Sequence, residues 1–394
     1  MKKLFKIVSL VMAFALVFAL FGCNKPADDK TTTTTGAGTT VAATSAFDAV
    51  AKEDIKVGVL HITSIQETSG YTYAHHKGIQ EMKESLGLTD AQIIEKDEVP
   101  DTETELVKTS LQELVDADCD IIFATSYNYM DSVEEFAAAN PKVIFSHCSG
   151  SKSNNSNFNN YFGRIYEARY LSGIAAGLKA KEIGTPKIGF VAAMDVKNSE
   201  VTGGINAFAL GVQSVYPECE VFVKVTGSWY DPVKEGQAAK ALIDAGCVVL
   251  SQHCDSDTVQ TTAQQNNVFG VGYNSDMTTA APKAHLVAPI WNWGVYYTAA
   301  VQQVINGTWI SKDYFEGYNV GLVGLSALNE SIVAAGTAEK IAEAEAKIKS
   351  GELFVFTGPI LDNTGKQIIG EGEKLSDGQI QTGINYYIKG VTLS

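Results

Sequence analysis

Residues 55–87 read IKVGVLHITSIQETSGYTYAHHKGIQEMKESLG, and this stretch decides the fold. IKVGVLHI has the apolar density of a buried strand, and YTYAHHKGIQEMKESLG reads as a helix. The pattern then repeats. IIEKDEV (93–99), CDIIFATS (119–126) and KVIFSHCS (142–149) are strand runs. TETELVKTSLQELVDA (102–117) and MDSVEEFAAAN (130–140) are helical runs between them. A β-α-β-α order predicts a parallel sheet with helices on both faces.

Further along, NYFGRIYEARYLSGIAAGLKAKEIG (160–184) separates this unit from a second one of the same kind. KIGFVAA (187–193), EVFVKV (220–225), VVLSQHC (248–254), VFGVGY (268–273) and HLVAPI (285–290) are its strands. The strand ends rhyme, VIFSHCSG in the first half and VVLSQHCDSD in the second. The expectation is an α/β chain with two doubly wound parallel-sheet lobes.

The N-terminus is read apart from the fold. Lys2, Lys3 and Lys6 precede the apolar run IVSLVMAFALVFALF (7–21), which has the length of a signal-peptide core. A membrane-spanning helix needs about 20 residues. The run ends in LFGC, so Cys23 is the expected lipidation site and new N-terminus. Residues 24–53, rich in Thr, Gly and Ala, cannot bury enough surface to offset ordering and read as a disordered tether. The expected boundaries are a signal peptide over 1–23 and the tether over 24–53. An N-terminal lobe follows over 54–164 and 291–318, and a C-terminal lobe over 165–290 and 319–394.

The whole chain carries a formal charge of −15. That argues against nucleic acid, whose phosphates need Lys and Arg. Five cysteines follow Cys23, with no C-x-x-C spacing. Their apolar contexts suggest buried free thiols.

In open α/β sheets, ligands bind beyond the carboxyl ends of the strands. The loops there contain no nucleophile elbow, P-loop or G-x-G-x-x-G. His75 and His76 are neighbours on a helix and make a poor metal pair. His147 and His253 each adjoin a Cys, and a hydrogen-bonded strand-end histidine is the plainer reading of both. Asp255, Asp257 and Asp276 match no calcium-loop spacing. What the loops offer instead is aromatic rings beside uncharged hydrogen bonders. The candidates are Tyr71, Tyr73, Asn128, Tyr129, Trp229 and Asn274, with Trp291, Asn292 and Trp293 beyond them. Rings stack on a flat heterocycle, and Asn both donates and accepts. Asp255 and Asp276 join them as candidate ligand contacts, and no cofactor or metal is expected.

These loops, with EARYLSGIAAGLKAK (167–181), GINAFALGVQSV (204–215), GSWYDPVKEGQAAKALIDAG (227–246) and GELFVFTGP (351–359) behind a lipobox, resemble the basic membrane protein family of solute-binding lipoproteins, the purine nucleoside receptor group. The resemblance implies a periplasmic-binding-protein type I fold with three crossing segments. It also implies closure on a small molecule, delivery to an ABC transporter permease, and a lipid anchor on the extracytoplasmic face of the cell membrane. In such proteins a purine base lies between two aromatic rings, and by register these are Tyr71 and Trp229. Gly78 matches a family glycine. The sugar side departs from the pattern: Asn274 stands where nucleoside binders carry an acid, and no lysine lies between Leu286 and Gly294. The expected ligand is therefore a free purine base, adenine-like, with a nucleoside as the alternative. A ligand sensor of the same fold is a further alternative. A surface nucleoside-processing enzyme is less favoured, because no metal cluster or acid/base pair stands at a suitable spacing.

Overall fold

The computed structural model describes residues 45–394. The apolar leader, Cys23 and residues 24–44 lie outside the described residues. In chain order the strands are β1 (Val57–Leu60), β2 (Ile93–Lys96), β3 (Ile121–Ala124), β4 (Ile144–Cys148), β5 (Phe158–Gly163), β6 (Lys187–Ala192), β7 (Glu220–Val225), β8 (Val249–His253), β9 (Phe269–Val271), β10 (His285–Val287), β11 (Pro289–Trp291), β12 (Tyr314–Glu316), β13 (Val323–Leu325), β14 (Ile360–Leu361), β15 (Gln367–Ile369) and β16 (Val391–Leu393). The helices are α1 (Gly70–Leu86), α2 (Thr104–Asp116), α3 (Met130–Ala139), α4 (Ile165–Ile183), α5 (Ser199–Val215), α6 (Pro232–Asp244), α7 (Thr258–Gln265), α8 (Gly294–Ile305), α9 (Thr337–Ser350) and α10 (Asp377–Thr382).

Two six-stranded sheets result. The first has the order β12-β5-β4-β3-β1-β2 and the second β10-β9-β8-β6-β7-β16. Every pairing in both is parallel. Central strands such as β1, β3 and β8 are buried along their whole length, as sheets covered on both faces require.

Three connections cross between the lobes: β5 to α4, β10 through β11 to α8, and β12 to β13. β11 and β13 pair antiparallel there as a two-stranded ribbon. HLVAPI, read as one strand, is divided between the second sheet and this ribbon, because the chain must turn at Ala288 to leave the lobe. Arg164 braces the crossing, donating from Nε and Nη2 to the two carboxylate oxygens of Asp377 at 3.1 and 2.6 Å.

Local sequence explains the joints. Asn198 caps α5 and Asp231 caps α6, each side chain accepting from the backbone N–H three residues on. Helices α4 and α5 press together through small residues. A β-carbon on Gly173 would collide with the carbonyl of Phe208, and one on Gly211 with that of Tyr170. The tether expectation ran to residue 53, yet Phe47 lies edge-on to Trp309 at 5.6 Å. Ordered packing therefore begins before residue 53, since one aromatic side chain suffices to anchor the approach to β1.

Among the described residues no helix is long and apolar enough to cross a membrane. Cys119, Cys148, Cys219, Cys247 and Cys254 are all buried and unpaired.

Candidate ligand-binding site

Between the lobes lies a slot of about 20 Å3, bounded on the first lobe by Tyr71, Ser126, Tyr127 and Ser149, and on the second by Glu200, Trp229, His253, Asp255 and Tyr273. Tyr71 opens α1, and its hydroxyl donates to the carbonyl of Thr125 at the end of β3. Trp229 sits in the turn between β7 and α6. The Asp255 N–H donates to the Trp229 carbonyl at 2.9 Å, which joins that turn to the one after β8. The Trp229 ring lies 6.4 Å from Tyr127 and 6.1 Å from His253.

Several polar atoms at this slot have no protein partner: Nε1 of Trp229, both ring nitrogens of His253 and Oδ1 of Asn274. Asn274 donates to Asp255 at 3.3 Å. Glu200, whose side chain is 17 % exposed, stands 3.5 Å from His253 Nε2. Behind them Arg169 is fully buried, its guanidinium 3.6 Å above the Tyr273 ring and its Nη1 donating to the Gln252 carbonyl at 2.6 Å.

Burial sets the protonation of these groups. It pushes the Glu200 carboxyl up to about 8, against the opposing pull of Arg169. It raises Asp255 well above the carboxylate range, with Glu235 adding to the effect. Burial also holds His253 well below its usual value, and Arg169 adds to that. At neutral pH the slot therefore presents a protonated Glu200 carboxyl and a neutral imidazole, with Asp255 pushed in the same direction as Glu200. A protonated carboxyl offers one donor and one acceptor side by side.

The sequence candidates divide. Tyr71, Trp229 and Asp255 line the slot, and Asn274 reaches it through Asp255. Tyr73 is half-buried on α1 outside the lining. Asn128 is exposed and donates to Asp101 at 3.1 Å. The Tyr129 ring is buried in the first lobe's core, its hydroxyl held at 2.5 Å by the Val99 carbonyl. Asp276 is exposed and accepts from Thr278. Trp291 and Trp293 stack on each other at 4.2 Å, and Trp293 stacks on His75 at 4.7 Å, inside the crossing. Gly78 makes room for that stack: a β-carbon there would stand 2.7 Å from Trp293 Cβ.

The sequence reading passed over Tyr127, Glu200 and Tyr273. Tyr127 and Tyr273 follow the carboxyl ends of β3 and β9, and Glu200 stands in the first turn of α5. A short 3-10 turn spans Tyr127–Tyr129. At about 120° per residue it sends Tyr127 toward the cleft and returns Tyr129 to the core. Among the described residues no group of three or more His, Cys, Asp or Glu side chains could hold a metal ion.

Residues 55–355 match the family model described as ABC transporter substrate-binding protein, PnrA-like. A purine-binding protein of Brucella abortus is 38 % identical over 349 residues, 86 % of this chain and 94 % of the relative. A putative ABC transporter glucose-binding protein of Haloferax volcanii is 30 % identical over 317 residues, 80 % and 78 % of the two chains. Among solved structures, an ABC transporter solute-binding protein from Aeropyrum pernix superposes with a TM-score of 0.65 at 17 % identity, over 84 % of this chain and 98 % of that one. That last likeness concerns the fold.

Proposed function

The chain belongs to the PnrA-like family of ABC transporter substrate-binding proteins, and from that premise we propose that it binds a free, adenine-like purine base between its lobes and hands it to an importer permease. The proposal includes a lipid anchor at Cys23 on the extracytoplasmic face, and no chemistry on the ligand.

One observation carries this reading. Tyr71 and Trp229, from opposite lobes, wall one thin slot together with Glu200 and Asp255. Closing the lobes covers both faces of a base and removes its water, which strengthens every hydrogen bond at its edge. The Glu200 carboxyl, neutral at pH 7, donates to a ring nitrogen and accepts from the exocyclic amine of adenine. Asp255, steadied by Asn274, accepts from the imidazole N–H. A nucleoside has lost that N–H to the glycosidic bond, and Asn274 supplies no charge to draw ribose hydroxyls. The purine-binding relative at 38 % identity supports the same ligand class, and the glucose-binding one supplies the control.

Isothermal calorimetry of the mature chain against adenine, guanine, hypoxanthine, adenosine and glucose tests the reading. Adenine is expected to bind at least about tenfold tighter than adenosine, a difference of about 1.4 kcal/mol. Tighter binding of adenosine would overturn the free-base assignment, and binding of glucose alone would overturn the purine.

A further inference from the structure

Five described residues other than glycine hold a left-handed backbone: Glu98, Asp118, Ser149, Asn267 and Asn274, with φ between 54° and 68°. Asp118 and Asn267 follow the C-terminal caps of α2 and α7, where such a turn is common. Glu98 is exposed in the turn after β2. The other two belong to the slot, one from each lobe. Asn274 reaches it through Asp255, and asparagine tolerates this conformation. Ser149 follows β4 and lines the slot directly.

Serine is the less expected choice. A left-handed residue brings its β-carbon against the following carbonyl, which glycine avoids. The next residue is indeed a glycine, Gly150, at φ 69°. Strand β5 imposes the turn from outside. The Ser149 N–H donates to the Tyr161 carbonyl at 3.0 Å, and the Ser149 carbonyl accepts from the Asn160 side chain. Such strain persists where neighbours over-determine the backbone, and it gathers at functional sites.

The side chain supplies the reason. On the first lobe's wall, the Tyr71 hydroxyl is committed to the Thr125 carbonyl, and Ser126 donates to Asp101 at 2.6 Å. Tyr127 also borders the open groove outside. Ser149 is 5 % exposed. Its hydroxyl has no hydrogen bond among the described residues, yet unlike the ring nitrogens of His253 it is not sealed from solvent. A hydroxyl both donates and accepts. Resting on the slot as the ligand site, we infer that Ser149 is a ligand contact of the first lobe, its hydroxyl meeting a polar edge of the bound heterocycle from a backbone position that glycine would hold without strain.

The test is calorimetry and thermal unfolding of the mature parent, Ser149→Ala and Ser149→Gly, with adenine, hypoxanthine, adenosine and glucose as ligands. Both variants lack the hydroxyl. Each is expected to bind the tightest of these ligands about three- to tenfold more weakly than the parent does. Without ligand, Ser149→Gly is expected to unfold about 1–3 °C above the parent, and Ser149→Ala no higher than the parent. Weaker binding by a more stable protein separates a contact from a packing role. Parent-like affinity in both variants would overturn the contact. Weakening in only one of them would overturn it too, because both lose the same hydroxyl. A Ser149→Gly protein no more stable than Ser149→Ala would remove the strain on which the inference stands. Tightest binding of a ligand other than adenine would overturn the free-base reading, with Ser149 then judged on that ligand. A parent that binds none of the four would overturn the slot and the contact together.

Discussion

Gly70 of the first lobe lies against the carbonyl oxygen of Asp255 in the second, so closely that a β-carbon on Gly70 would collide with it. The Gly70 N–H donates to Ser275 Oγ at 2.8 Å, and Ser69 donates to Asp257 at 3.3 Å. This is where the lobes meet beside the slot. Gly70 also holds a φ of 91°, which side chains rarely adopt.

Gly70→Ala is therefore expected to prop the lobes apart. Calorimetry on the variant should show ligand affinity down by about tenfold or more, about 1.4 kcal/mol. Small-angle scattering should show the liganded variant more extended than the liganded parent. Unchanged affinity would mean that the contact yields without cost.

Trp229 and Tyr71 are expected to contribute as stacking faces. Stacking on an aromatic ring is worth about 1–3 kcal/mol by alanine substitution, so Trp229→Ala should weaken adenine by about 5- to 150-fold. Trp229→Phe keeps a ring and should lose less. A Trp229→Ala protein with parent-like affinity and a much lower unfolding temperature would make the indole a packing residue.

Trp293 should behave in the opposite way. It is fully buried between His75 and Trp291, and Trp293→Ala is expected to cost about 3–5 kcal/mol of stability. Denaturant unfolding of the ligand-free chain reads this directly. A loss well under 1 kcal/mol would show that the crossing can collapse around the gap.

Glu200 gives the pH dependence. Its carboxyl keeps a proton up to about 8; in the proposed complex it donates to a ring nitrogen below that, and above it the carboxylate would face the nitrogen's lone pair. Adenine affinity should hold below pH 8 and fall above it, by at most about tenfold per pH unit. Guanine, with adjacent N–H groups that suit a carboxylate, should gain relative to adenine. Glu200→Gln should flatten the profile. The folded chain also keeps a proton that the unfolded chain sheds above the ordinary value of 4.5, so stability should decline between about 4.5 and 8 and lose that slope in Glu200→Gln. A parent whose adenine-to-guanine ratio is the same at pH 6 and pH 9.5 would remove Glu200 from the base edge.

Cys23→Ala is expected to move the protein from the membrane fraction to the medium or periplasm. Retention of the variant in the membrane with normal precursor processing would contradict lipidation.

Much of this architecture was legible in the sequence because period and order are local. The strands of residues 55–87 and of their repeats are short, continuous apolar runs that only a parallel sheet buries. Strands β12, β13 and β16 were not read as strands, and β11 was read only as the end of HLVAPI. Each is only three residues long, and each is held by a distant partner rather than by its own pattern. The site was legible to the level of the loop. Within a loop, the residue that faces the cleft depends on a turn's phase, so the reading chose Asn128 and Tyr129 where Tyr127 faces the slot. Glu200 escaped because an acid in a first helical turn already has an ordinary explanation in the helix dipole.

The outermost strands of both sheets reach their places late. Strand β12 closes one edge of the first sheet only after residues 164–313 have intervened, and β16 closes the second sheet from residues 391–393. A growing chain halted before residue 314 leaves β5 with an open edge, and one halted before residue 391 leaves β7 with another. Neither lobe can finish as an independent unit during synthesis, and such distant pairings form slowly. Until they form, two rows of unpaired backbone groups stand ready for a strand from another copy. The danger of misassembly thus belongs to the unfinished chain, and its duration is set by how much polypeptide is still to come.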